Sequence, residues 1–361
     1  MAEGSYAPSA PLRFQSAPAA DADERVPLKF EDRPLSIWAV SDGRAGIENQ
    51  VLGLAEAIAR QTPAEIGVRH IRWASEAYDR LPTFLKLDPR RRLSPEVEPI
   101  APPWPDLWLA AGRATMPFSL RMRRWSKGRT FVVQVQDPRW PAHLFDAVVP
   151  PRHDRVPGGN VIEITGSPHR VTPEKLAAEQ ARFAEALAPL PSPRVAVLIG
   201  GKSKAFDISP ERAARLAAEI GLAVESEGGS LLLSFSRRTP EPARDILHAR
   251  LKHLPGIIWD GQGANPYFAF LAAADYILVT EDSTNMATEA ASTGKPVFVL
   301  KLDGASLKFR RFHEELERLD VARPFGGQLY RWDYEPLRET DRAAQRILRR
   351  MRDQADPDPE S

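Results

Sequence analysis

Five consecutive polar residues, Glu281, Asp282, Ser283, Thr284 and Asn285, stand where the apolar run Tyr276–Thr280 hands over to a short helical pattern that stops at Gly294-Lys295-Pro296. One residue suffices to cap a helix, so the others are candidates for holding a ligand. Ser283, Thr284 and Asn285 fall where the N–H groups of a helix start are unpaired, a place that suits an anion. Glu281 and Asp282 would oppose a bare phosphate and suit sugar hydroxyls or capping. Glu289, inside the helix, can accept hydrogen bonds from both hydroxyls of a ribose; its plainer reading is a salt-bridged helix residue.

Three other turns follow apolar runs in the same way. In "IGGKSKAF", Gly200, Gly201, Lys202, Ser203 and Lys204 offer backbone N–H groups, a hydroxyl and ammonium groups, which suit a diphosphate. The alternative is a solvated basic loop. In "SFSRRTP", Arg237 and Arg238 can clamp a phosphate through paired hydrogen bonds, or stand as surface charges. In "SDGRAGIENQ", Gly43 and Gly46 permit a tight turn, and Asp42, Arg44, Glu48, Asn49 and Gln50 supply charge and hydrogen-bonding groups. A flexible turn with a helix cap is the bland alternative. None of these is a G-x-G-x-x-G or Walker loop, so a conventional dinucleotide site is unsupported.

Candidate bases are Asp42, Asp137 at the end of "FVVQVQD", and His153 beside Asp154; His169 is a further histidine to weigh. Arg44, Asn49, Arg113 and Arg139 are candidates for an anionic acceptor. No metal-ligand spacing such as H-E-x-x-H occurs, so no metal site is expected.

These turns need elements to position them. "LSIWAV", "GVRHIRW", "DLWLAAG", "TFVVQVQD" and "FDAVVPP" read as buried strands, separated by helical patterns in "IENQVLGLAEAIARQ" and "ATMPFSLRMRRWS". After the proline-punctuated "LAPLPSPR" a second series begins. "VAVLIGG", "SLLLSFS", "GIIWD" and "YILVT" are strands. "ISPERAARLAAEIG" is a helix with Ser209 at the N-cap, Pro210 at its first position and Gly221 past its end. "EPARDILHARLKH" and "NPYFAFLAAA" are helices, and "ETDRAAQRILRRMRD" closes the chain. The alternation argues for α/β architecture with mostly parallel sheets covered on both faces. In such sheets ligands sit outside the carboxyl ends of the strands, where the four turns lie.

A chain of 361 residues is long enough for two domains. A formal net charge of +1 argues against a general nucleic-acid binder. The absence of cysteine excludes disulfides, thiolate zinc sites and cysteine nucleophiles, and is compatible with a reducing cytoplasm. No apolar run is long enough to span a bilayer as a helix. "FSLRMRRWSKGR" mixes basic and apolar residues; an ordinary sheet-covering helix is favoured over contact with an anionic membrane.

"SDGRAGIENQVLGLAEA", "VQDPR" and "EDSTNMATEAASTGKPV" together resemble the ELM1 family of mitochondrial fission ELM1-like proteins, from about Leu35 to Trp332. "STNMATEAASTGKPVFV" is similar to the nucleotide-sugar site of GT-B glycosyltransferases. The resemblance implies two Rossmann-like domains whose parallel sheets face a central cleft. It places an acceptor domain at 35–188 and a nucleotide-sugar domain at 194–330; the Ala-, Pro-, Ser- and acid-rich start reads by its composition as a disordered leader at 1–34. A crossover helix at 331–352 and a disordered tail at 353–361 complete the expectation. Glu289 is expected on the ribose, with Gly200, Gly201, Lys202, Ser203, Arg237, Ser283, Thr284 and Asn285 around the diphosphate. The implied chemistry is metal-independent sugar transfer from a nucleotide-diphosphate sugar, with no cofactor. The acceptor is open, a lipid-linked one included, as are a protein partner and a peripheral position on the inner membrane face. A non-catalytic recruitment protein and a nucleotide-sugar epimerase are the alternatives. "SDGRAG" stands where GT-B enzymes carry a Gly-rich, His-containing loop, so their catalytic base is not carried over.

Overall fold

The computed structural model describes residues 12–14 and 33–355. The described residues divide into two compact units: those up to Pro151 with Arg155–Ile164 and those from Thr340 on, and Arg152–Asp154 with Thr165–Glu339.

The first unit is built on a six-stranded sheet. Its order is Leu12–Phe14, Ala64–His70, Leu35–Ser41, Leu107–Ala111, Phe131–Val135 and Ala147–Val149. All neighbours run parallel except the edge strand Leu12–Phe14, which pairs antiparallel with Ala64–Ile66. Side chains alternate between two cores, as the period of two dictates. Ile37, Ala39, Leu107 and Leu109 join Val51, Leu54 and Ile58 of the helix Ala45–Ala59. Trp38, Val40, Trp108 and Ala110 join Phe118 and Met122 of the helix Met116–Trp125, which has Pro117 in its first turn. The last helix, Glu339–Ala355, lays Ala343, Ala344, Ile347, Leu348 and Met351 into the first of these cores.

The second unit holds six parallel strands in the order Gly256–Trp259, Ser230–Phe235, Arg194–Ile199, Tyr276–Thr280, Val297–Leu300 and Arg323–Pro324. Val195, Val197 and Ile199 pack on the helix Pro210–Ser226. Ala196 and Leu198 face the helices Tyr267–Ala273 and Thr284–Ala291. Every residue of Tyr276–Thr280 is buried, as its unbroken apolar run requires.

The structure departs from the sequence expectation in several places. Ser209 caps its helix by accepting from the Arg212 N–H at 3.1 Å. The helix does not stop at Gly221, however, and runs on to Ser226. Gly221 is buried against the helix Glu241–Leu251, where a Cβ would make ordinary contact with Leu251 at 3.6 Å. The first unit's opening stretch of chain runs to Ile164, not to 188, and the unit resumes at Thr340. The helix Pro173–Arg182 and the turn Ala184–Leu187 belong to the second unit, where Leu187 is buried and Leu176 and Phe183 pack on its core. Residues 331–338 are not helical, and the final helix reaches Ala355. The expected leader lies outside the described residues apart from 12–14 and 33–34, as does the tail from 356. The helix Leu307–Arg318 is a further element that the sequence reading did not pick out.

Candidate functional site

In each sheet the chain builds outward on one side of its first long strand and then returns to the other side. Two such strands separate at their carboxyl ends, and that is where α/β sheets bind ligands. In the second unit these are Arg194–Ile199 and Tyr276–Thr280. In the first they are Leu35–Ser41 and Leu107–Ala111.

The switch point of the second unit is tied by Asp282. Its side chain is fully buried. It accepts from Thr280 Oγ1 at 2.7 Å, from the Gly201 N–H at 3.0 Å and from Arg238 at 2.7 Å. The Gly200 N–H goes to Thr280 Oγ1 at 2.7 Å, the Lys202 N–H to the Arg238 carbonyl and the Ser203 N–H to the Phe206 carbonyl. The four N–H groups expected to cradle a diphosphate are thus donated inside the unit. The glycines serve close approach instead: a Cβ on Gly200 would lie 2.0 Å from Asp282, and one on Gly201 2.1 Å from the Arg238 carbonyl oxygen. The Lys202 ammonium pairs with Asp207 at 2.8 Å and stays exposed, and Ser203 Oγ accepts from the Ala205 and Phe206 N–H groups. Arg237 is exposed at the same rim.

Glu281, ambiguous from sequence, is tied to the segment after the next strand and to the helix Leu307–Arg318. It accepts from the Leu302 N–H at 2.7 Å and from Lys301 at 3.0 Å, and its carbonyl accepts from His313. Ser283 is the N-cap of Thr284–Ala291 and accepts from the Met286 N–H at 3.3 Å. Asn285 Oδ1 accepts from Ser167 Oγ at 2.9 Å, and Gly166, at φ +78°, packs against Thr288.

Glu289 lies on the buried side of that helix and accepts from the Tyr267 hydroxyl. Burial pushes its carboxyl up to about 7, against the smaller opposing effect of the tyrosine hydrogen bond. No salt bridge forms there, which removes the plainer reading of this residue. Lys295, in the Gly-Lys-Pro stop, donates to the Leu271 and Ala272 carbonyls at the end of Tyr267–Ala273. It thereby caps the helix that carries Tyr267.

The corresponding place in the first unit is more open. Asp42 accepts from the Arg44 guanidinium at 2.7 and 2.9 Å and from the Arg44 N–H. Asp137 repeats this arrangement with Arg139, at 3.0 Å to the side chain and 2.8 Å to the N–H. Gln136 and Arg139 bracket Asp137 at φ +72° and +57°, and Gln136 donates to Gln50 at 3.0 Å. Gly112, at φ +89°, leaves room for Asp42, which a Cβ would approach to 3.3 Å. Arg113 is exposed and Asn49 half-buried on the same rim.

Sequence reasoning missed His70. It ends the strand beside Leu35–Ser41, and its Nε2 meets Glu48 at 2.7 Å. The hydrogen bond to Glu48 raises its pKa against partial desolvation. Both side chains remain partly exposed, 29% and 28%. A histidine at the end of a strand, with a carboxylate in the first turn of the preceding helix, was the available signal.

The two histidines singled out from the sequence, His153 and His169, are buried. His153 belongs to the second unit, is buried against Phe312, and is held neutral by burial, which lowers its pKa. Its neighbour Asp154 is paired with Lys308 at 2.6 Å. His169 accepts from the Val171 N–H and meets Ser292 at 2.8 Å. Among the described residues no cluster of metal-ligating side chains occurs.

Comparison with known proteins adds family and fold. The family model described as mitochondrial fission ELM1 matches residues 45–351. The mitochondrial fission protein ELM1 of Arabidopsis thaliana is 32% identical over 274 residues, covering 68% of this chain and 64% of that protein. The match thus spans slightly less than two thirds of the plant relative. An uncharacterized protein of Rickettsia prowazekii (strain Madrid E) is 26% identical over 361 residues, covering 87% of this chain and 98% of that one. Among solved structures, the UDP-GlcNAc 2-epimerase of Methanocaldococcus jannaschii in complex with UDP-GlcNAc and UDP superposes with a TM-score of 0.51. It is 13% identical and covers 88% of this chain and 99% of that one. The fold is therefore the GT-B-like type, two Rossmann-like domains with parallel sheets.

Proposed function

The chain belongs to the mitochondrial fission ELM1 family, and from that premise we propose that it binds a nucleotide-diphosphate sugar in its second unit and transfers the sugar to an acceptor held by the first. The observation that carries this reading is Glu289. A carboxylate buried on a helix that starts at the switch point, shared with one tyrosine hydroxyl, is built to accept two hydroxyl hydrogen bonds from a ribose. Thr284 and Asn285 at the helix start, with Arg237, Lys202 and Ser203 at the rim, are the groups proposed to take up diphosphate charge. Gly200 and Gly201 contribute shape alone, since their N–H groups are spent on Thr280 and Asp282. No cofactor enters the scheme, because the nucleotide sugar is the donor substrate.

On the acceptor side, His70 is a better base than Asp42, Asp137 or His153. The two aspartates are shared with Arg44 and Arg139, and His153 is buried. With its Nε2–H given to Glu48, His70 keeps the Nδ1 lone pair for an acceptor hydroxyl. The acceptor oxygen bonds to the anomeric carbon and its proton passes to His70. The bond from that carbon to the diphosphate breaks, and its electron pair leaves with the nucleotide. Arg44, Asn49, Arg113 and Arg139 would orient an anionic acceptor.

Thermal melting with UDP-GlcNAc, GDP-mannose and ADP-glucose tests the donor site. At a hundredfold excess over its Kd, the right donor should stabilise the fold by about 2.7 kcal/mol. Glu289→Gln should remove that response. Silence with every nucleotide sugar would overturn the reading and favour the non-catalytic interaction protein. Product analysis then separates transfer from epimerisation.

A further inference from the structure

Between Leu81 and Leu87 the ordinary pattern of a surface loop is inverted. Half of the exposed large hydrophobic side chains among the described residues fall in this one segment: Leu81 at 38%, Phe84 at 64%, Leu85 at 50% and Leu87 at 80%. The lysine between the two leucines is buried at 4%. Lys86 donates to the Asp79 and Leu81 carbonyls at 2.8 and 2.5 Å, and its ammonium lies 5.4 Å from the centre of the Trp73 ring. Desolvation lowers its pKa. Burying an ammonium is costly, so the loop is held in this shape at a penalty. What the shape achieves is to drive Phe84, Leu85 and Leu87 outward together.

The surroundings are basic. From Glu76 to Arg92 five basic residues face three acidic ones, and Arg113–Arg129 adds six basic residues and no acidic one. That is an excess of eight positive charges on a chain whose formal net charge is +1. The two segments are packed together: Arg90 lies over the Trp125 ring at 4.6 Å, and the turns Thr83–Leu85 and Pro89–Arg92 rest on the helix Met116–Trp125. A soluble protein partner would need an acidic surface with an apolar centre. An anionic bilayer offers both over its whole area, with headgroup phosphates above acyl chains.

We infer that this loop is a membrane-docking wedge, with Phe84, Leu85 and Leu87 entering the acyl region of an anionic lipid surface and the flanking arginines meeting its phosphates. The inference stands apart from the donor reading: Phe84, Leu85 and Leu87 lie at neither switch point, and without Arg113, which borders the first, the basic excess is still seven.

The test is co-sedimentation of the full chain with vesicles of phosphatidylcholine alone and of phosphatidylcholine with phosphatidylglycerol. Binding is expected to the mixed vesicles and to weaken as salt is raised. The triple variant Phe84→Ser, Leu85→Ser, Leu87→Ser should partition at least about tenfold more weakly, since each large apolar side chain contributes roughly that factor on burial. These side chains are already at least half exposed, so the variant should keep its circular dichroism spectrum and melting temperature. Absence of binding to the mixed vesicles, or equal binding by the variant, overturns the inference. So does a concentration-dependent dimer of the full chain that the triple variant abolishes, which would assign the patch to a second copy.

Discussion

The two switch points share a backbone plan and differ in how their polar groups are held. In the second unit Asp282 is fully buried and joins three stretches of chain, through Gly201 eighty-one residues away and Arg238 forty-four away. In the first unit the polar groups are local and wet. Arg44 reaches back two residues to Asp42, and Arg139 reaches back two to Asp137, with arginine side chains 66% and 82% exposed. A buried network of this kind holds one geometry, whereas exposed pairs rearrange at little cost. The difference fits the proposal of a preorganised donor site in the second unit and an adaptable acceptor site in the first.

Four substitutions sharpen or break this contrast. Gly200→Ala should cost roughly 3 kcal/mol in urea denaturation, because its Cβ would collide with the buried Asp282 carboxylate. Gly112→Ala in the first unit should cost only about 1–2 kcal/mol, mainly from its left-handed backbone. Equal losses would erase the distinction. Asp282→Asn should cost about 2 kcal/mol, since a buried N–H and a half-exposed guanidinium lose their acceptor charge. Asp42→Asn should stay within about 0.5 kcal/mol, and a larger loss measured by the same method would show the first switch point to be equally rigid.

Glu289 gives the third comparison, in pH. Its folded carboxyl titrates near 7, above the ordinary 4.5, so the folded state holds a proton that the unfolded state releases. Its contribution is fully present below the unfolded value and is lost as pH rises through about 7. Glu289→Gln should therefore gain stability relative to the wild type between pH 5 and pH 8, read from melting temperatures across that range. His70 is the smallest effect. Its raised pKa makes the Glu48 contact most favourable below the unfolded histidine value, and the contribution fades as pH climbs through the folded one. In Glu48→Gln the loss should be at most about 0.5 kcal/mol at pH 5.5 and absent at pH 8.5. A reversed pH trend would mean that His70 is not paired as described.

The strands were legible because a strand buried on both faces must be an apolar run, and "LSIWAV", "DLWLAAG", "VAVLIGG" and "YILVT" have no other soluble use. The helix starting at Ser209 was legible from its cap, but its end was not. Gly221 looks like a stop and is in fact a contact with another helix, which only the tertiary packing decides. The unit boundary was placed differently for a similar reason: prolines at 189–193 mark a turn inside the second unit, while the chain crosses over at Ile164, before the shorter turn signal Gly166-Ser167-Pro168. At the candidate sites, residue types pointed to the strand ends where the two switch points lie. What they did not carry was pairing. Whether Asp282 faces a sugar or Gly201, and whether His70 is a lone strand residue or half of a dyad with Glu48, depends on contacts between distant stretches of chain.

The return of the last helix to the first core has a consequence for how the protein is made. Ala343, Ala344, Ile347, Leu348 and Met351 complete a core whose other members lie mostly before Ile164. The second unit lies between them as nearly one continuous piece, Thr165–Glu339. At about 5–20 residues per second, a ribosome needs roughly 10–35 s to pass through that insertion. During that time the face covered by Ala45–Ala59 lacks the rest of its cover, so the unit begun first is finished last. Holding its apolar face out of trouble in that interval falls to the nascent chain and its chaperones.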